Sequence, residues 1–294
     1  MATELTIREV FDLQLAEVSG ICERTAGGGR PRQLLAVGDD SHELLVGDLT
    51  PAVPDGFARH DLAPLLAAAG IEIGRSSQWE GVDSDDTGRV FVLREVPGTV
   101  FVFDPVLERL LHVLHLTVED DPGEERAWAA DENALGEGLL LLRNGHLFVV
   151  KEEKPRQLLE FGLPGERPQG LHGDLLVADT GRYPIPEAPE ATFHMLSAWD
   201  LGGEALERVG DLSDVAVGPD GRVYLLSDES RCIARLQATV PPKSGTVAVD
   251  RIWGLPDRLH QPEGLVIGRD WDVLVAVDHP EQRDNLFRLD GLGP

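Results

Sequence analysis

The sequence predicts an all-β protein with a six-bladed β-propeller fold, and three observations support this prediction. A short pattern recurs in fixed register, beginning at Glu80, Glu137, Ser213 and Glu263. In each copy a hairpin turn follows after eight residues and a second acid after fifteen, and such self-similarity is typical of repeat architectures. The strands after the turns, such as residues 90–93, are apolar on both faces, as a sheet packed between two other sheets requires.

Two weaker copies bring the number of repeat units to six, each of roughly fifty residues. One begins at Val18 and has Asp39 in the second-acid position. In the other, residues 175–179 are the expected second strand with Asp179 in the second-acid position, and a strand at 195–199 follows. The last repeat holds only three strand-like segments. Residues 5–10 are therefore expected to supply its fourth strand, closing the ring without an open sheet edge. Residues 1–294 are thus predicted to form a single propeller domain.

Three segments interrupt the repeats. A helix is predicted within residues 61–70, where Asp61 is a candidate cap and Gly70 a stop signal. Residues 118–137 are rich in Asp and Glu and are expected to form a solvated loop, whereas the Pro-rich residues 183–190 are expected to be an insert.

The composition restricts the classes of partner. Lys and Arg number 26 against 52 Asp and Glu, a formal net charge of -26. This charge argues against nucleic acid and anionic membrane surfaces, and it favours cationic partners or metal ions. The first ten residues lack the features of a signal peptide, so a cytoplasmic location is expected. The two cysteines, Cys22 and Cys232, are expected to be reduced and buried.

The recurrent acids are expected to meet at one end of the propeller channel. In a blade the first strand lines the channel and the second runs antiparallel beside it. The start of the first strand and the end of the second therefore lie at the same channel mouth. The acids that end the second strands are Glu95, Glu152, Asp228 and Asp278, joined by Asp39 and Asp179.

Such a concentration of carboxylates predicts a metal site. Close like charges raise one another's pKa, so a cation would stabilise the ionised forms. The predicted ligands are Glu80, Glu137 and Glu263, and their hard oxygen atoms suit calcium, with magnesium or manganese as alternatives. In the competing structural interpretation, the repeated acids accept backbone N–H bonds from the neighbouring blade.

The candidate catalytic residues are Asp228, Asp278 and His279, each able to serve as a general base beside a metal ion. His260 also precedes a repeated acid and could act as a base or a ligand, although a surface role is the alternative for both histidines. Residues 83–88 resemble the start of an EF-hand loop, but the twelfth position holds Arg94 rather than Glu, so they are interpreted as a hairpin turn.

The repeat motifs resemble a known family. The segments are Val18-Ser19-Gly20-Ile21, Trp79-Glu80-Gly81-Val82, residues 135–139, residues 149–155 and Pro262-Glu263-Gly264-Leu265. Together they resemble the SdiA-regulated (YjiK-like) propellers and, more distantly, calcium-dependent lactonases and esterase-like phytase-related propellers. The resemblance implies a six-bladed propeller with calcium in the channel. Two departures are that related bacterial proteins are typically exported, and that Ser213-Asp214 stands where Ser-Gly is usual.

Three functions compete at this point. The first is a metal-dependent hydrolase acting on a small ester, lactone or phosphoester. The second is a non-catalytic propeller whose acidic channel mouth binds a small molecule, a cationic ligand or a protein partner. The third is an interaction module in which calcium has a purely structural role.

Overall fold

A computed structural model describes residues 3–25, 32–49, 56–118, 136–176, 181–203 and 205–293. The described chain is built from short strands arranged as propeller blades around a channel. The first blade contains β3 (Val18–Thr25), β4 (Arg32–Gly38), β5 (Glu43–Asp48) and β6 (Ala58–Asp61). The second contains β7 (Trp79–Ser84), β8 (Val90–Arg94), β9 (Thr99–Phe103) and β10 (Leu110–Thr117).

The remaining blades follow the same antiparallel order. The third contains β11 (Gly136–Leu141), β12 (Leu147–Lys151), β13 (Gln157–Gly162) and β14 (Glu190–Leu201). The fourth contains β15 (Asp214–Val217), β16 (Val223–Ser227), β17 (Cys232–Leu236) and β19 (Val249–Gly254), with β18 (Gly245–Val247) pairing with β14. The fifth contains β20 (Pro262–Ile267), β21 (Val273–Val277), β22 (Leu286–Asp290) and the N-terminal β2 (Thr6–Phe11).

The all-β propeller fold is confirmed, whereas the described residues form five blades rather than the six predicted. The inner strands β3, β7, β11, β15 and β20 each pack against the next, and β20 packs against β3, so the ring closes with five members. Five apolar clusters match the five interfaces between adjacent blades in the described chain.

Among the described residues, the predicted repeat unit between Gly170 and Trp199 forms no blade of its own, because its strand at 195–199 belongs to the third blade. Residues 195–199 lie within β14, whose C-terminal half pairs with β13 and completes the third blade. The N-terminal half of β14 pairs in parallel with β10, so this strand joins the second and third blades. Leu175 ends a 3-10 helix (Gly173–Leu175) instead of starting a strand, and Asp179 lies outside the described residues.

Closure by the N-terminus is confirmed. Strand β2 pairs antiparallel with β22 as the outermost strand of the fifth blade. The preceding β1 (Thr3–Glu4) pairs in parallel with β19 of the fourth blade, and the Leu5 N–H donates to the Gly254 carbonyl at 2.9 Å. The chain start therefore connects two blades and leaves the edge strands of both paired.

The interrupting segments fit the fold in different ways. Helix α1 (Ala63–Ala68) lies in the predicted region, and its Leu66 packs into the cluster between the first and second blades. A second short helix, α2 (Ala205–Arg208), precedes β15. The insert at 183–190 is anchored by buried Tyr183, whose hydroxyl donates to the Gly145 carbonyl at 2.6 Å. Most of the predicted acidic loop, residues 119–135, lies outside the described residues.

Both cysteines are free and buried, as predicted. In the described part of the chain, no helix is long and apolar enough to span a membrane.

Candidate functional site

The repeated first acid occupies a β-bulge. The pairing of the first two strands shifts register at Glu80, Glu137 and Glu263, and at Ser19 in the first blade. A bulge leaves one residue without a cross-strand partner and re-aims its side chain. The repetition of the acid therefore coincides with a repeated backbone irregularity at the start of the inner strand.

The glycine after the acid is required by the close approach of the inner strands. A Cβ atom at Gly20 would lie 2.9 Å from the Glu80 carbonyl oxygen, and one at Gly81 would lie 3.2 Å from the Glu137 carbonyl oxygen. At Gly138 it would lie 2.8 Å from the Val215 nitrogen. The glycine at this position in four of the five inner strands thus lets the strands approach one another around a narrow axis.

A repeated backbone hydrogen bond holds the second acid close to the first acid of the same blade. Glu17, Gln78 and Gln261 have φ values of 50°, 54° and 50°, in the left-handed region. Their carbonyl oxygens accept the backbone N–H of Asp39, Glu95 and Asp278 at 3.2, 2.9 and 2.8 Å. The ends of the second strands are thereby fixed beside the starts of the first strands, at one mouth of the channel.

The acid mouth is the set of carboxylates that meet there. Its described members are Glu17, Asp39, Glu80, Glu95, Glu137, Glu152, Asp211, Asp228, Glu263 and Asp278. The predicted convergence is seen for eight of these ten residues, and Glu17 and Asp211 join them. Burial first, and then the neighbouring carboxylates, raise the pKa of Glu80, Glu137 and Glu263 well above the ordinary value.

The second acids are shifted in the same direction. Burial followed by repulsion from Glu153 and Asp211 raises the pKa of Glu152 to about 7. Burial and the charges of Glu17 and Asp278 raise the pKa of Asp39 to about 6. Within the described residues, Oδ1 of Asp39 and Oδ1 of Asp278 are buried without a hydrogen-bond partner. These oxygen atoms are free to accept a proton or a cation.

The candidate bases differ in how deeply they lie in the acid mouth. Asp228 and Asp278 are half-buried, and burial raises the pKa of each carboxyl group. The His279 ring is exposed at the rim, where its Nδ1 accepts the Glu281 N–H at 3.0 Å. His260 is also exposed. The aspartates are thus better placed for proton transfer inside the mouth than either histidine.

Two acids of the mouth had not been singled out from the sequence. Glu17 and Asp211 stand two residues before Ser19 and Ser213, where Gln78 and Gln261 stand in other copies. Asp211 is buried, accepts a hydrogen bond from Ser227 Oγ, and accepts the Glu229 N–H at 3.1 Å. The repeat itself indicates these acids, because the position two residues before the repeated first acid is polar in four copies.

The structural interpretation, in which repeated acids accept backbone N–H bonds from the neighbouring blade, holds for Asp228, whose carboxylate accepts a hydrogen bond from the Gln261 backbone. Carboxylates outside the repeated positions make such bonds too. Asp214 Oδ2 accepts the Leu265 N–H of the next blade at 2.7 Å, and Asp83 Oδ2 accepts the Leu141 N–H at 3.1 Å. Asp214 takes the place of the glycine in its copy, and burial raises its pKa well above the ordinary value. The departure noted in the sequence therefore places a carboxyl group on the channel axis.

The acidic turn and the basic neighbours of the second acids have structural roles. Asp85 accepts the Thr87 N–H at 3.1 Å and forms an ion pair with Arg89, as expected of a hairpin turn. The Arg94 guanidinium stacks over Phe101 of its own blade, with 4.9 Å between the guanidinium carbon and the ring centre. The Lys151 ammonium donates to the Glu153 carbonyl at 2.6 Å.

The carboxylate oxygen atoms of the acid mouth suit a hard cation chemically, but the side chains are spread apart. Across the residues the structure describes, no three His, Cys, Asp or Glu side chains are close enough together to hold one ion. Ligation by Glu80, Glu137 and Glu263 would therefore require side-chain rotation.

The opposite end of the channel has a different character. A cavity of about 130 Å³ lies where the inner strands run toward their hairpin turns. Its walls are aliphatic, and Cys22, Asp83 and Ser84 are its polar lining groups together with Glu23 and Arg269 at the opening. The Asp214 carboxylate lies at the level of the glycines, between this cavity and the acid mouth.

Comparison with known proteins identifies a family and a fold. The model of the SdiA-regulated family matches residues 129–282, slightly more than half of the chain. A search of the curated proteins finds no match. The glutaminyl cyclase of Myxococcus xanthus is similar in structure, with a TM-score of 0.52, 12% identity, and coverage of 99% of this chain and 98% of that one. A streptogramin B lyase gives a TM-score of 0.49 at 11% identity, covering 96% of both chains.

Proposed function

The chain belongs to the SdiA-regulated family, and we propose that its acid mouth binds a divalent cation, calcium before magnesium or manganese. The observation that carries the proposal is the burial of the first acids beside one another, where neighbouring carboxylates add repulsion to the effect of burial. The pKa of Glu137 is raised by burial and then by Glu80, Glu95 and Glu263, among others. A cation among these carboxylates would offset both burial and repulsion, which together favour the protonated forms.

The ligands we assign are Glu80, Glu137 and Glu263. Carboxylate oxygens are the donors that calcium prefers, and calcium tolerates irregular geometry better than magnesium does. The unpartnered oxygen atoms of Asp39 and Asp278 support the assignment, because a buried acceptor without a partner costs free energy that a cation would offset.

A hydrolase acting on a small ester, lactone or phosphoester is the activity we assign to this site. A bound divalent ion supplies Lewis-acid polarisation of the substrate oxygen and lowers the pKa of water. Asp228 and Asp278 would accept the proton of the attacking water, and burial, which raises the pKa of each, brings them nearer to neutral pH. Glu152, with a pKa of about 7, is a further proton acceptor at the same mouth.

Calorimetric titration with calcium tests the binding proposal. The wild-type protein, freed of metal by chelation, is expected to bind calcium, and Glu80→Gln with Glu263→Gln is expected to remove binding. Glu72→Gln, at an exposed position outside the mouth, is the matched control and should bind like the wild type. Absence of heat in the wild type, or unchanged binding in the double variant, would refute the ligand assignment.

A screen of small esters, lactones and phosphoesters tests the activity. Turnover should depend on added calcium and should fall by about 100-fold or more in Asp278→Asn, as expected for the loss of a general base. Metal-independent turnover would contradict the mechanism.

The alternative is a non-catalytic propeller that binds a cationic ligand or protein partner at the acid mouth. It is favoured by the open spacing of the carboxylates in the described residues, which suits an extended cation without the side-chain rotation that a single ion would require. Calcium-independent binding of a polyamine that is lost in Glu80→Gln with Glu263→Gln would select this alternative.

A further inference from the structure

Arg94 is a half-buried arginine that has no carboxylate partner in the described chain. The sequence holds 52 Asp and Glu against 26 Lys and Arg, and the buried arginines Arg89 and Arg288 both form ion pairs. Burial lowers the pKa of the Arg94 guanidinium, and no described carboxylate offsets this effect. Its Nε atom is buried without a hydrogen-bond partner among the described residues. An anion from outside the chain would supply the missing partner.

Contact with Phe101 holds the Arg94 guanidinium in place. The guanidinium carbon lies 4.9 Å from the ring centre, a distance typical of a cation–π contact. This contact uses none of the five N–H donors of the guanidinium, which lie in a fixed fork. Because the side chain is already held, it loses less conformational freedom when it binds a planar oxyanion through two parallel hydrogen bonds. The packing of Arg94 therefore also prepares it to receive a carboxylate.

His42 of the first blade lies close to Arg94 of the second. Arg94 is the cross-strand partner of Trp79, so these two side chains share one face of their blade. The His42 ring packs edge-on against Trp79, with 5.6 Å between the ring centres. Burial lowers the pKa of His42, Asp61 opposes this effect, and the charge of Arg94 adds to it. The ring is therefore neutral at pH 7 and can donate one N–H.

The donors at this interface carry a single positive charge. Besides Arg94 and the neutral His42, the hydroxyl of Ser41 is next in the chain, and its Oγ is buried without a partner in the described residues. One guanidinium charge matches the single charge of a carboxylate better than the two charges of a phosphate monoester. The excess of acids in the chain disfavours a second negative charge further. The chemistry therefore favours a monoanion.

We propose that Arg94 binds the carboxylate of a small organic monoanion at the interface between the first and second blades, with His42 as an uncharged second donor. The site requires no metal ion. It is separate from the acid mouth, because no carboxylate of the mouth pairs with Arg94. The proposal thus goes beyond divalent-cation binding, and each can hold without the other.

NMR titration of the 15N-labelled full chain with propionate at constant ionic strength tests the proposal. Saturable shifts are expected for the Nε–H signal of Arg94 and the indole N–H signal of Trp79. Propionate should bind about tenfold more tightly than propionamide, its neutral analogue, because charge-assisted hydrogen bonds are stronger than neutral ones. Methyl phosphate, which is a dianion at about pH 8, should bind more weakly than propionate.

Variants assign the binding to the guanidinium. Arg94→Gln should abolish the shift of the Trp79 signal and the preference for propionate over propionamide. Arg94→Lys keeps the charge but lacks the fork, and should bind propionate about fivefold more weakly. Arg8→Gln, at an exposed position on the outermost strand of the fifth blade, removes the same charge and should bind like the wild type. Thermal unfolding verifies that each variant is folded.

The acid-mouth variant tests whether the two sites are separate. Glu80→Gln with Glu263→Gln should not weaken propionate binding, and a loss of binding there would contradict the separation. The proposal fails if the Arg94 signal shows no saturable shift in the wild type, or if propionate and propionamide bind equally well. A propionate preference that survives Arg94→Gln would also overturn it. Tighter binding of methyl phosphate than of propionate would refute the ligand class.

Discussion

The two ends of the channel are built from the same five strands but present opposite chemistry. At the acid mouth, ten described carboxylates meet and their charges are only partly compensated. At the hairpin end, the same strands present aliphatic side chains, and the Asp83 carboxylate is held by backbone donors. Along each inner strand, the lining changes from acidic to aliphatic within the two positions that follow the repeated first residue.

The difference shows how a repeat can serve structure and chemistry together. The bulge at Glu80, Glu137 and Glu263 re-aims the acid, and the next position brings the strands close. Asp214 is the one member of the described ring that breaks the glycine pattern, and it lies between the two ends. The separation of the ends therefore depends on one ring of backbone contacts.

The largest effect is expected from disturbing that ring. Gly138→Ala would place a Cβ atom 2.8 Å from the Val215 nitrogen and 2.9 Å from Asp214 Oδ1. Backbone cannot yield cheaply, so we expect a loss of about 2–3 kcal/mol in the free energy of unfolding. Urea unfolding measures it, with Gly245→Ala as the control, because no atom lies within 4 Å of a Cβ at that glycine. Equal stability of the two variants would show that the strands are not in close contact.

A smaller effect of opposite sign is expected at the acid mouth. Without divalent cations, Glu80→Gln with Glu263→Gln should stabilise the protein at pH 8 by about 1–2 kcal/mol, because two buried, mutually repelling carboxylates become neutral. Thermal unfolding in the presence of a chelator measures this change. Destabilisation of the double variant under these conditions would mean that the acids hold the fold together instead of opposing it.

The pH dependence should be the smallest effect. The pKa of Glu152 is raised from 4.5 to about 7 in the folded chain. Between these values the native state keeps a proton that the unfolded chain has released, so the free energy of unfolding should fall as the pH rises from 5 to 8. Since Glu152 is half-buried, we expect a contribution of about 1 kcal/mol after allowance for solvent screening. Glu152→Gln should flatten the profile; a wild-type profile that rises over this range would contradict the shift.

The sequence was sufficient for the all-β propeller class and for the place of the acids. The fixed spacing between Glu80 and Glu95, and between Glu263 and Asp278, predicted one channel mouth, and the structure brings these residues together. This prediction succeeded because blade geometry follows directly from strand alternation and hairpin length.

The number of blades could not be predicted from the repeat spacing. Residues 195–199 have the composition of a blade strand, yet they pair with β13 because the third blade lacks an outer strand of its own. A local pattern does not reveal which neighbouring edge is unsatisfied. The cavity at the hairpin end was also missed, because its walls are ordinary aliphatic residues that only the closed ring brings together.

The central claim is that the acid mouth binds a divalent cation through Glu80, Glu137 and Glu263. Crystals soaked in manganese or a lanthanide, with anomalous diffraction recorded at the metal edge, test it most directly. We expect an anomalous peak within ligand distance of carboxylate oxygens from at least two of these three residues, and no peak in crystals of Glu80→Gln with Glu263→Gln. A mouth without an anomalous peak at millimolar metal, or a peak that persists in the double variant, would contradict it.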